Sequence, residues 1–339
     1  MKLYDNEGWI NWENIINLNV PYCFGYGGRG CGKTYGLLKT ILLNPDKPNF
    51  VFMRRTQKQL NTISIDGLSP FIKLRNDLNL DLKIKASSKT ETTSILIDGE
   101  ERGIGIALST VSNLRGFDSK ADYLIYDEFI PEPNERTTIK KGFEGFAFMN
   151  VVESIARNRE ILGDSPLKVF GLANANDIGN PIFMELGLVT IAERMKEKQK
   201  EYYHNNDRGL LLMDFFKSPI SEKKKETSLY KLADKNSSFY SMAIGNEFVD
   251  DSIAIIKSRN LKEYKPILTI SDLTFYEHKS EDLFYLSEHR QGTPPIYSTA
   301  SADIEKFRKE FYYLWNAYLN REIEFENRLC AVVFDKLWD

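Results

Sequence analysis

Tyr22-Cys23-Phe24-Gly25-Tyr26 is an apolar run that leads directly into Gly27-Gly28-Arg29-Gly30-Cys31-Gly32-Lys33-Thr34, and Tyr35-Gly36-Leu37-Leu38-Lys39-Thr40-Ile41-Leu42-Leu43 follows with a pattern that suits a helix. The middle stretch meets every fixed position of G-x-x-x-x-G-K-[ST], in the strand–loop–helix setting that the motif requires. Glycines let consecutive backbone N–H groups turn inward to hold phosphate oxygens, and the helix that follows adds its positive N-terminal end. The expected site is therefore Gly27, Gly28, Arg29, Gly30, Cys31, Gly32, Lys33 and Thr34, with Lys33 reaching the β- and γ-phosphates of ATP and Thr34 ligating Mg²⁺.

A second element fits the same chemistry. Tyr123-Leu124-Ile125-Tyr126-Asp127-Glu128 is an apolar strand that ends in two acids. Asp127 at its tip suits Mg²⁺, and Glu128 suits a group that orients or deprotonates an attacking water. A third strand, Lys168–Ala173, ends at Asn174, which reads equally as a γ-phosphate sensor and as a turn former. Arg157 and Arg159 close the amphipathic run Asn150–Glu160, where cations at a helix end are ordinary. An arginine finger is the functional alternative, with Arg115 as a further candidate cation. Arg54, Arg55 and Lys58 follow the apolar run Phe50–Met53, and are read as a solvated loop in preference to a phosphate-backbone contact.

Outward from these motifs, the first 180 residues alternate short β-rich runs with helical stretches: strands at Tyr22–Tyr26, Asn49–Met53, Leu82–Ala86, Thr93–Ile97, Ile104–Leu108, Tyr123–Tyr126 and Val169–Ala173, and helices from Lys33 and across Glu144–Ile161. Near-continuous apolar strands suit a parallel sheet buried on both faces, and Asp98-Gly99 suits a hairpin turn. The fold class is α/β: a P-loop domain over residues 1–190, a charged linker or lid over 191–240, and a second α/β domain over 241–339. In that last domain, strands at Ser252–Lys257, Pro266–Ile270, Thr274–His278 and Leu283–Ser287 precede a long helix, Ala302–Leu319.

Composition narrows the function. The 339 residues carry 45 Lys and Arg against 48 Asp and Glu, a net charge of −3, which excludes a broadly basic nucleic-acid coat but leaves room for a local basic surface. Three isolated cysteines, Cys23, Cys31 and Cys330, and three scattered histidines give no zinc pattern and suit a reducing compartment. No apolar run reaches membrane-span length, and the polar N-terminus lacks a signal-peptide core, so the expected address is cytoplasmic with no membrane partner.

Together the pieces GGRGCGKTY (27–35), VFMRRTQ (51–57), LST (108–110), YLIYDEFI (123–130), ARNRE (156–160), LANAN (172–176) and NPIF (180–183) resemble the DNA-packaging ATPases of phi29-like tailed bacteriophages, small relatives of large-terminase motor subunits. The resemblance runs nearly end to end and is weaker in the last third. It implies a RecA/ASCE-type ATPase domain, a small linker domain and an RNase H-like C-terminal domain without nuclease function. It also implies a homomeric ring, usually a pentamer, at the portal vertex of an empty capsid in the host cytoplasm, which drives double-stranded DNA inward. In phi29 a structural packaging RNA joins motor to capsid. By the same resemblance Lys33, Thr34, Asp127 and Glu128 take the roles given above, Arg157 matches a trans arginine finger, Arg115 a second trans-acting basic residue, and Asn174 the strand-end asparagine that couples hydrolysis to movement. Two alternatives stand beside it. One is a terminase-like motor with an active metal-dependent nuclease, for which Asp272, Glu277, Asp282 and Asp303 are the available acids. The other is a P-loop switch protein that is not a motor.

Overall fold

Apolar runs spread from Tyr22 to Asp214 become neighbours in one sheet. In the computed structural model, residues 1–114, 120–131, 144–234, 240, 243 and 254–338 are described. Among them, β1 (Tyr22–Gly27), β2 (Phe50–Arg54), β3 (Leu82–Ser87), β4 (Thr92–Ile97), β5 (Glu100–Ala107), β6 (Tyr123–Asp127), β7 (Lys168–Asn174), β8 (Tyr202–Asn205) and β9 (Leu210–Asp214) lie in the order β3-β4-β5-β2-β6-β7-β1-β9-β8. The stretch from β5 to β9 is parallel throughout, while β3-β4 and β8 add antiparallel margins. Every residue of β2, β6 and β9 is buried, the mark of strands covered on both faces.

The helix Lys33–Leu42 turns Leu37, Leu38 and Ile41 onto the sheet, where they join Phe52, Ile125, Phe170 and Met213 in one core. Each such side chain contributes roughly 1.5–3 kcal/mol on full burial. The helix Glu144–Ala156 buries Phe148, Val151, Val152 and Ile155. It stops five residues before the expected Ile161, because Arg157 takes a left-handed backbone (φ 47°) and closes the last turn through its N–H to Glu153 O.

The chain divides into two compact units, Met1–Val249 and Asp250–Asp339. This departs from the expected linker over 191–240. That segment supplies β8 and β9, and β9 pairs with β1 itself. Its charged stretch, which reads as a solvated helix and a linker, does begin with a helix, Val189–Glu197, but one that buries Val189, Ala192 and Met195. Charge density obscured an apolar face at three-residue spacing.

In the second unit, β10 (Ile255–Ile256), β11 (Tyr264–Ile270), β12 (Leu273–His278), β13 (Phe284–Ser287), β14 (Ile296–Tyr297) and β15 (Ile323–Phe325) form a sheet in the order β10-β15-β13-β12-β11-β14. β11, β12 and β13 make an antiparallel meander, and β14 lies parallel to β11. The helix expected over Ala302–Leu319 is two, Ser301–Glu310 and Tyr312–Leu319, broken at Phe311. A further helix, Arg328–Trp338, buries Cys330, Ala331, Phe334 and Leu337 in a core with Phe275, Phe307 and Tyr318. No helix among the described residues is long and apolar enough to cross a membrane.

Candidate functional site

Parallel register decides which residues meet. Gly27 at the end of β1 lies opposite Asn174 at the end of β7, Asp127 of β6 lies opposite Leu172 of β7, and Met53 of β2 lies opposite Tyr126 of β6. The phosphate loop, Asn174, Asp127 with Glu128, and Arg54 thus share the carboxyl edge of four adjacent strands, the edge at which open α/β sheets bind ligands.

The loop is built as its glycines require. Gly32 caps the helix Lys33–Leu42 from a left-handed conformation (φ 90°) and offers no side-chain cap, so the first N–H groups of the helix are left for an anion. Lys33 is buried, at 8% exposure. Its ammonium donates to Gly28 O (2.6 Å), Gly27 O (3.1 Å) and Asn174 Oδ1 (3.3 Å), which puts Asn174 on the lysine itself. Cys31 faces inward, its thiol donating to Gly28 O, while Arg29 and Gly30 are exposed.

The acids are engaged from two sides. Thr34 Oγ1 donates to Asp127 Oδ1 at 2.6 Å, and Arg54 Nη2 lies 2.7 Å from Asp127 Oδ2. The other terminal nitrogen of Arg54 pairs with Glu128 Oε2. Asp127 is 2% exposed, whereas half of the Glu128 side chain faces solvent. Glu128 also adopts φ 58°, an unfavourable backbone for a residue with a Cβ. The turn is fixed by the N–H of buried Phe129 donating to Leu172 O. A hydroxyl and a buried carboxylate in contact at the mouth of the loop are the donor set that suits Mg²⁺ beside a bound triphosphate.

Two expectations about arginines are corrected. Arg54 and Arg55 are not in a solvated loop. Arg54 holds the two acids, and Arg55, fully buried, pairs with the buried Glu144 at the start of the helix Glu144–Ala156. The apolar run before them gives a strand but not its neighbour, and it is the neighbour, β6, that supplies the acids. Lys58 is exposed as expected. Arg157 and Arg159 are not cations of a helix's last turn, since the helix ends at Ala156. Arg159 donates to Ala121 O at 2.9 Å, and Arg157 lies exposed in the turn, with Nε on Ser154 O. Arg115 lies outside the described residues.

The C-terminal acids do not converge. Asp272 is exposed in the two-residue connection Ser271-Asp272 between β11 and β12, and Asp303 caps Ser298 through its N–H and hydroxyl. Among the described residues no group of three or more His, Cys, Asp or Glu is placed to hold a metal ion.

Reading the sequence also missed two elements that border the phosphate loop. The N-terminal turn Asp5–Trp9, nucleated by Asp5 accepting from the N–H groups of Glu7, Gly8 and Trp9, brings Trp9 against Gly32. Lys224 reaches the loop from the far end of the unit. Beside the N-terminal turn a cavity of about 1360 Å³ opens, lined among others by Trp9, Lys33, Thr34, Asp127, Glu128 and Asn174, a volume ample for a nucleotide.

Residues 4–331 match the model of the family described as Podovirus DNA encapsidation protein (Gp16). The fold is similar to a chain of the bacteriophage Phi-29 viral genome packaging motor assembly (TM-score 0.65, 20% identity, 99% of each chain covered). It is also similar to the Phi-28 gp11 DNA packaging motor (TM-score 0.62, 18% identity, 98% of this chain and 97% of that one). No curated protein matches the chain by sequence. The phosphate loop, the paired acids and the match over nearly the whole length agree: the chain belongs to the Podovirus DNA encapsidation protein (Gp16) family, and it is an ATPase of viral DNA packaging.

Proposed function

We propose that the protein works as a homomeric ring, pentameric by the family resemblance, at the portal vertex of an empty capsid in the host cytoplasm, and that it moves double-stranded DNA inward with ATP held between neighbouring copies. The observation that carries this reading is the convergence of Lys33, Thr34, Asp127, Glu128 and Asn174 on one sheet edge in a chain of the encapsidation family.

In this mechanism Lys33 and the N–H groups at the start of its helix bind the outer phosphates. Thr34 and Asp127 would hold Mg²⁺, which neutralises charge on the phosphates. Glu128 orients the attacking water and takes its proton. Arg54 holds the Asp127 and Glu128 carboxylates in place. Asn174, hydrogen-bonded to Lys33, ties β7 to the state of the loop. Arg157 of a neighbouring copy completes the charge at the γ-phosphate, with Arg115 as a second basic residue in trans. The exposed position of Arg157 outside its own pocket supports a role on a neighbour. The second unit, RNase H-like in this reading, binds DNA, capsid or a structural packaging RNA without cutting. The spread of its described acids favours that role over the nuclease alternative.

DNA contacts in such a motor go to phosphates and ignore sequence. The test is steady-state ATP hydrolysis against protein concentration, with and without double-stranded DNA. A rate per subunit that rises with concentration and with DNA of any sequence is expected. A flat rate indifferent to DNA would leave a P-loop hydrolase and remove the motor.

A further inference from the structure

Two lysines converge on the phosphate loop, and the motif accounts for only one. Lys224 ends the short helix Pro219–Lys224 and donates its ammonium to Arg29 O, the carbonyl two residues beyond the start of the loop. Gly30 leaves the room for it: a Cβ at that position would stand 2.5 Å from Lys224 Nζ. The approach is fixed from several sides. Phe215 N–H donates to Tyr26 O and ties the segment to β1, Pro219 packs on Gly8, Lys223 donates to Glu7 O at 2.9 Å, and the Lys224 ammonium lies 5.8 Å from the centre of the Tyr230 ring.

The charges on this loop are unbalanced. Lys33 and Lys224 are held by the carbonyls of Gly27, Gly28 and Arg29, and neither forms an ion pair with a carboxylate among the described residues. Burial and the nearby Lys33 pull the Lys224 pKa below the ordinary lysine value. Two ammonium groups partly withdrawn from water against neutral dipoles repel each other, and an anion with several charged oxygens relieves both.

Resting on the nucleotide-site reading above, we propose that Lys224 is a second phosphate-binding lysine acting in cis, which exchanges Arg29 O for the outer phosphates of the bound nucleotide. The segment 215–230 then follows the phosphate state of the pocket. Because the chain continues from there to the second unit at Asp250, the exchange gives nucleotide state a covalent route to that unit.

The test is binding of ATPγS, ADP and AMP to the full chain by calorimetric titration, for the wild type, Lys224→Ala, Lys224→Arg, Lys223→Ala and Lys33→Ala. Lys224→Ala is expected to weaken ATPγS about tenfold and AMP much less, as loss of a charge-assisted hydrogen bond to the outer phosphates requires. Lys224→Arg should keep most of the affinity, and Lys223→Ala nearly all of it. Equal weakening of all three nucleotides by Lys224→Ala would reduce the residue to packing, and ATPγS affinity within twofold of wild type would remove it from the site; either overturns the proposal. Lys33→Ala separates the two readings. If it leaves ATPγS binding intact, the nucleotide site itself is misassigned and the Lys224 proposal falls with it. If it abolishes binding while Lys224→Ala does nothing, only the Lys224 proposal fails.

Discussion

Arg54 grips Asp127 with one guanidinium nitrogen, at 2.7 Å, and Glu128 with the other, so a single cation from β2 spans both acids at the tip of β6. The two contacts differ in energy because the acids differ in exposure. Asp127 is buried and is paired there with Arg54. Glu128 is half in water, where an ion pair contributes under ~1 kcal/mol.

Arg54→Ala is therefore expected to destabilise the first unit by roughly 3 kcal/mol, the cost of leaving a buried carboxylate without its cation, and to lower ATP turnover as well. Glu128→Gln should leave the thermal midpoint within a degree or two while turnover falls about 10²–10⁴-fold with ATP still bound. Thermal unfolding beside ATPase rates checks both. A Glu128→Gln chain that hydrolyses at the normal rate would remove Glu128 from catalysis.

Much of this site was legible in the sequence because it is local. The loop Gly27–Thr34 and the strand end Asp127-Glu128 each carry their chemistry within eight residues, and the apolar runs before them identify their strands. What depends on register was not legible. Arg54 reads as the start of a loop until β2 is known to lie beside β6, and Arg159 reads as a helix cation until its bond to Ala121 O is seen. Lys224 sits in a Lys-rich run that resembles solvated surface, and only Gly30, at a variable position of the motif, hints that something must approach there. The strand Leu210–Asp214 was missed because the charged run before it suggested a linker.

Arg55 and Glu144 form a second buried pair, at 0% and 3% exposure, which anchors the helix Glu144–Ala156 to the end of β2. Removing one partner leaves the other buried without its counter-ion. Arg55→Ala or Glu144→Ala is expected to cost roughly 3–5 kcal/mol, whereas the double replacement Arg55→Met with Glu144→Leu should recover most of it. Urea unfolding of the three variants measures the difference, and equal losses in single and double variants would mean that the pair is not coupled.

Asp214, at the end of β9 beside the Tyr26 phenol, has its pKa pushed up to about 7, chiefly by burial, against the pull of Tyr26, the Phe216 N–H and Lys196. The folded chain thus keeps a proton that the unfolded chain releases near pH 4. The position costs nothing below pH 4, costs progressively more as pH rises to about 7, and is fully unfavourable above that. Asp214→Asn should be more stable than the wild type above pH 7, by a margin that shrinks to near zero at pH 4. Chemical denaturation at a series of pH values tests the sign, and a margin that grows towards acid would contradict it.

In the proposed ring, Arg157 of one copy completes the pocket of another. The direct measurement is ATP hydrolysis by mixtures of Arg157→Ala and Lys33→Ala chains, each of them inactive alone. An arginine finger contributes about 10³–10⁵ in rate, so even partial mixing of subunits should restore turnover well above the sum of the separate variants. A mixture no more active than its components, under conditions where wild-type subunits exchange, would contradict a site shared between neighbours.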